Sequence, residues 1–104
     1  MIPQYTYSSL FNVATVGDWG CNDNSKNTLK NISSNKPELI LALGDLSYQR
    51  TGECWLEIKS PVDNMTSIVR GDHDNDFRTS QYMEHFNMSS EFYSFNHFNI
   101  HFMI

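Results

Sequence analysis

Three aspartates, Asp18, Asp45 and Asp72, each follow a glycine at the end of a short β-rich run. Phe11 to Val16 leads into Gly17-Asp18-Trp19-Gly20, Leu39 to Leu43 into Gly44-Asp45-Leu46-Ser47-Tyr48, and Ser67 to Arg70 into Gly71-Asp72-His73-Asp74. A carboxylate after one strand is ordinarily a turn former or a helix N-cap. Three in succession are different if the strands are parallel neighbours, because all three then sit at one edge of a single sheet. Open α/β sheets bind their ligands at the carboxyl ends of the strands. Clustered carboxylates repel one another, so their natural partner is a metal cation.

The elements that must position them can be read in order. Residues Met1 to Leu10 form a loose lead-in, and Phe11 to Val16 is the first strand. Asn22 to Ser34 is a helix capped by Asn22, Asp23 or Asn24, with Leu29 and Ile32 on its apolar side. Ser33 to Pro37 breaks it. Glu38 to Leu43 is a strand whose continuous apolar run suits burial on both faces. Arg50 to Lys59 holds a short helix ended by Pro61, Met65 to Val69 is the third strand, and Gln81 to Phe86 is a helical turn. Glu91 to Ile104 reads as a hairpin of two aromatic strands around an asparagine-containing turn. The class is α/β, built as a right-handed βαβ series.

Composition narrows the function. A chain of 104 residues is at most one domain with a modest core. The net charge of -5 argues against a nucleic-acid surface. No stretch approaches the about 18 apolar residues that a membrane span needs. No basic segment followed by an apolar core marks a signal peptide at the N-terminus. The compartment stays open. Cys21 and Cys54 are too few for a disulfide framework and lack zinc-site spacing, so they read as free thiols, with a single bridge as the alternative. Asn-x-Ser/Thr triplets begin at Asn31, Asn64 and Asn87, which an asparagine-rich chain produces by chance; they matter only in a secreted protein.

With these residues in place, the chain resembles the calcineurin-like metallophosphoesterases. Gly17-Asp18-Trp19-Gly20, Gly44-Asp45-Leu46-Ser47-Tyr48 and Gly71-Asp72-His73-Asp74 are similar to the first three motifs of that family. The Gly-Asp-Trp-Gly form, the Asp-x-x-Tyr spacing and the closing Phe92-Tyr93-Ser94-Phe95 with Asn99-Ile100-His101-Phe102 are most similar to its purple acid phosphatase branch. The resemblance implies hydrolysis of phosphate monoesters at a dinuclear metal centre, Fe(III) with a second Fe, Zn or Mn(II). It implies that Asp18 and Tyr48 hold the first ion, that Asp45 bridges both, that Asp72 serves the second, and that His73 acts as the catalytic group beside the phosphate. Two cations about 4 Å apart clamp a phosphoryl group and activate a shared water. Hard oxygen donors suit Fe(III), Mn and Mg, and imidazoles draw Zn and Fe.

Two departures qualify the resemblance. Asp72 stands where the family has asparagine, and the added charge is expected to blunt the second ion and repel phosphate. The family's later histidine ligands, including a Gly-His-x-His stretch, have no counterpart here. The expectation is a single partial domain over residues 1–104, with its core from about residue 11 and the C-terminal half of the β-sandwich missing. Such a fragment is incompetent alone and exposes apolar strand surface, inviting self-association. The alternative is a non-catalytic metal-binding α/β module. Asp74 and Asp76 read as solvated loop charges, with a place in the metal site as the alternative, Asp23 and Asp63 as turn residues, and Trp19 and Trp55 as packing residues, with Trp19 lining the substrate pocket as the alternative. Arg70 reads as a strand-edge charge, and Arg78 is free to approach a phosphate. His85, His97 and His101 read as ordinary polar or packing residues.

Overall fold

The computed structural model describes residues 11–104, so the proposed lead-in over residues 1–10 lies outside the described part. Three parallel strands form the central sheet in the order β1 (Val13–Val16), β2 (Leu39–Ala42), β3 (Thr66–Ile68). Val16 pairs with Ala42, and Ala42 with Ile68, so these three make a row across the sheet. Leu39, Ile40, Ala42 and Ile68 are buried, as a strand covered on both faces requires. Leu43, expected to end the central strand, lies beyond it and is half exposed. It belongs to the turn that lifts Asp45 off the sheet edge.

Helix α1 (Asp23–Ser34) follows β1. Of its three candidate caps, Asn22 is the one used, its side-chain oxygen accepting from the Ser25 amide at 3.1 Å. Helix α2 (Glu53–Lys59) and a 3-10 turn over Ser60–Met65 lead into β3. Trp55, on α2, is fully buried against Trp19 (ring centroids 5.9 Å apart) and Tyr82 (5.7 Å). Truncating a buried tryptophan typically costs about 3–5 kcal/mol, so this edge-to-face aromatic cluster is a principal anchor of the helices on the sheet. Both tryptophans are packing residues.

Helix α3 (Phe77–His85) is longer than the turn expected over Gln81–Phe86. Its first turn carries little apolar pattern; the carboxylate of Asp76 starts it by accepting from the Arg78 amide at 2.9 Å. The carboxyl end of α3 is tied to the turn before β3. Asp63 accepts from Lys59 and also meets His85 at 2.7 Å, while the buried Lys59 ammonium lies 4.1 Å over the Phe86 ring. Asp63 is thus an ion-pair partner rather than a simple turn residue.

The hairpin forms as expected, from β4 (Ser94–His97) and β5 (Ile100–Met103) in antiparallel register. His97 closes β4, and the turn passes through Phe98 in left-handed backbone. The Tyr93 hydroxyl donates to the Ile68 carbonyl at 2.6 Å and accepts from the Ile68 amide at 3.0 Å, fastening the hairpin to the free edge of β3. Phe92, Phe98, Ile100 and Met103 face solvent.

The cysteines correct the expectation of free thiols. Cys21 and Cys54 form a disulfide, with Cα atoms 6.1 Å apart. The bridge clips the loop just past Asp18 to the first turn of α2. Two partners 33 positions apart in sequence meet only through the tertiary fold, which the residue count could not reveal.

Candidate metal centre

The register of the sheet fixes where the acidic turns fall. Asp18, Asp45 and Asp72 stand two, three and four residues beyond the paired row of Val16, Ala42 and Ile68. All three therefore lie past the carboxyl-terminal edge of one sheet.

The turns also lock into one another. The Asp18 amide donates to the Gly44 carbonyl at 3.2 Å, and the Trp19 amide to the Asp45 carbonyl at 2.9 Å. The His73 amide donates to Asp45 Oδ1 at 3.1 Å. Two glycines permit this closeness. A Cβ on Gly44 would fall 2.6 Å from the Gly71 nitrogen, and one on Gly71 would strike the backbone and carboxylate of Asp45. Asp18 and Asp45 themselves take left-handed backbone, φ 51° and 50°. Side-chain-bearing residues rarely adopt it, aspartate and asparagine excepted, and it concentrates at functional sites.

The side chains converge. Tyr48 donates its hydroxyl to Asp18 Oδ1 at 2.7 Å and lies 3.3 Å from Asp45 Oδ2. Asp45, Asp72 and His73 each offer a ligand atom, all within 4.8 Å of one another. The His73 ring stands edge-on to Tyr48, centroids 4.9 Å apart. Five sequence-selected residues, Asp18, Asp45, Tyr48, Asp72 and His73, thus share one place. Four are exposed and Asp45 is half-buried, so the group opens to solvent.

The hydrogen bonds set the protonation states. The His73 amide, followed by the charge of His73, holds the Asp45 carboxyl below the usual carboxylate range, although its partial desolvation opposes this. The hydrogen bond to Asp18 and the surrounding negative charge push the Tyr48 phenol well above its ordinary value. The cluster therefore keeps an ionised carboxylate at its centre and a protonated phenol at its rim. Three carboxylates, a phenol and an imidazole are hard and borderline donors of the kind that bind Fe, Mn or Zn. The donor set fits a metal centre.

Several residues read differently from the sequence. Asp74, expected to be a solvated charge, is fully buried. Its carboxylate accepts from the Leu46 amide at 3.0 Å and the Gly71 amide at 2.9 Å, joining the turns after β2 and β3. Asp76 caps α3 and chelates the Arg78 guanidinium. Arg78 does not face the acidic cluster. It donates to the carbonyls of Ser47 (2.7 Å) and Gln49 (2.8 Å), which brace the loop carrying Tyr48 from either side. Arg70 pairs with Glu91 at 3.5 Å, a strand-edge charge as expected. His85, His97 and His101 contribute nothing to the cluster: His85 meets Asp63, His97 stacks on Phe11, and His101 meets Asn96 at 2.8 Å. Asp74 and Arg78 are the supporting residues that sequence reasoning missed. The one available signal was their density, in the run Asp72 to Arg78, around the third motif.

A carboxylate–phenol–imidazole group thus stands at the carboxyl edge of a parallel sheet. The sequence model of the calcineurin-like phosphoesterases matches residues 11–103, and the chain belongs to that family. The family consists of metal-dependent phosphoester hydrolases with dinuclear centres, and the Asp45, Asp72 and His73 group is a candidate metal site within it. A search of curated proteins found no match to this chain.

Proposed function

We propose that this chain supplies part of a dinuclear centre hydrolysing phosphate monoesters, of the purple acid phosphatase type. The observation that carries it is the Tyr48 hydroxyl, seated between Asp18 and Asp45 at 2.7 and 3.3 Å. A phenol among carboxylates favours a hard trivalent ion such as Fe(III), while Asp72 and its neighbours suit a divalent Fe, Zn or Mn. Asp18 and Tyr48 would hold a first ion, and Asp45 and Asp72 would serve a second; such a pair would supply charge neutralisation of the phosphoryl group and acidification of a bound water.

The protein's own groups do the rest. Asp45 needs no deprotonation to bind, because the His73 amide keeps it ionised. With a substrate bound at this edge, His73 would stand beside the phosphate and donate a proton or hydrogen bond to it, stabilising charge on the leaving oxygen. Asp72 brings a negative charge where the family has a neutral amide, which lowers turnover. The remaining ligands come from outside these five residues, so residues 11–104 act as one partial domain of a larger site.

Tyr48 gives the test. Its phenol is protonated in the metal-free protein, so binding as phenolate releases a proton. Fe(III) titration is expected to raise a broad visible tyrosinate-to-iron band. Tyr48→Phe is expected to abolish that band, and affinity in the parent should tighten about tenfold per pH unit between acid and neutral pH. A band that survives Tyr48→Phe, or binding insensitive to pH, rejects this assignment.

A further inference from the structure

Three Asn-x-Ser/Thr triplets lie outside the metal centre: Asn31-Ile32-Ser33, Asn64-Met65-Thr66 and Asn87-Met88-Ser89. The first asparagine of each is exposed. Among the described residues the side-chain amides of these three make no hydrogen bond, as is also true of Asn24, Asn27, Asn75 and Asn99, so it is position rather than freedom that sets the three apart.

Topology gathers the three at one end of the molecule. In a parallel sheet each crossover helix returns the chain to the amino-terminal edge. Asn31 lies in the last turn of α1, whose end touches the start of β1 through the 2.8 Å bond from Asn12 to the Asn35 carbonyl. Asn64 lies in the 3-10 turn that feeds β3. Asn87 lies just past α3, whose final residue His85 reaches that same turn through Asp63 at 2.7 Å. Asp18, Asp45 and Asp72 stand at the opposite edge. A bulky group on any of the three asparagines leaves the carboxylates open.

The disulfide is an independent observation. Bridges such as Cys21–Cys54 persist in secreted and lumenal proteins, the environment in which asparagine glycosylation occurs. Chance triplets in an asparagine-rich chain have no reason to avoid the metal-binding end.

We propose that Asn31, Asn64 and Asn87 are N-glycan acceptor sites and that the chain matures in an oxidising secretory lumen. The donor class is a lipid pyrophosphate-linked oligosaccharide. The asparagine amide nitrogen forms a bond to sugar C1, the C1–oxygen bond to the pyrophosphate breaks, the amide gives up one proton, and the lipid pyrophosphate leaves. No oxidation or reduction is involved. Transfer takes place on the unfolded chain, so the helical setting of Asn31 in the finished fold is no obstacle.

The experiment uses protein isolated from its natural source. Glycans are released with a peptide N-glycosidase in heavy-oxygen water, and the peptides are read by mass spectrometry. Each of positions 31, 64 and 87 is expected to appear as heavy-oxygen aspartate. N31Q, N64Q and N87Q, expressed in the same cells, should each remove one mobility step on a denaturing gel. Glycan release from the folded protein should leave metal affinity unchanged. Unmodified asparagine at two or more of the positions, or free thiols at Cys21 and Cys54 in the same sample, overturns the proposal. A metal affinity that shifts on glycan release overturns the placement of the glycans away from the centre.

Discussion

Asp45→Ala is expected to weaken divalent metal binding by at least about 100-fold in isothermal titration with Mn(II) or Zn(II). Loss of a mere supporting residue at a metal site typically costs 10–100-fold, and Asp45 is more than that. Its carboxylate lies within 4.8 Å of ligand atoms on both Asp72 and His73, and it meets the Tyr48 hydroxyl at 3.3 Å. It also accepts from the His73 amide, so the substitution frees the third turn as well as deleting a donor. Asp76→Asn is the control. That carboxylate is spent on the cap of α3 and on Arg78, and its neutralisation should leave metal affinity where it was. Equal losses in the two variants would mean that general negative charge, rather than a built site, attracts the cation.

The second large effect concerns the covalent link. Cys21→Ser/Cys54→Ser is expected to lower unfolding free energy by about 3–4 kcal/mol, from the loop-closure entropy of a bridge spanning 33 positions. For a domain near this size that corresponds to a fall in Tm of about 15–25 °C. A small core has little surplus stability, so the loss is felt in full. Urea denaturation followed by tryptophan fluorescence reads it directly, since Trp19 and Trp55, close in sequence to the bridged cysteines, meet edge to face. Reductant should bring the parent to the midpoint of the variant and leave the variant unmoved. A parent indifferent to reductant, or two titratable thiols in the native protein, would contradict the bridge.

The parts of this molecule that were legible in its sequence are those written in neighbouring residues. Leu39 to Leu43 with Gly44 and Asp45 announces a buried strand and an acidic turn, because an apolar run, a glycine and a carboxylate act locally. The hairpin is legible for the same reason, through aromatic runs around Phe98 and Asn99. What stayed hidden depends on segments meeting in space. Asp74 resembles any loop acid until the turns after β2 and β3 close around it, 28 residues from its partner Leu46. Arg78 was free to face a phosphate until Ser47 and Gln49 turned their carbonyls toward it. The start of α3 shows no apolar period and is fixed by one cap, Asp76, so pattern alone placed the helix too late. The joining of Cys21 to Cys54 likewise follows from α2 docking on the loop past Asp18.

Anomalous diffraction from a zinc-soaked crystal addresses the central claim most directly. The predicted result is a zinc peak against the carboxylates of Asp45 and Asp72, with the His73 imidazole beside the ion rather than ligating it, absent in Asp45→Ala. A peak held by other residues, or none at the carboxyl edge of the sheet, would contradict it.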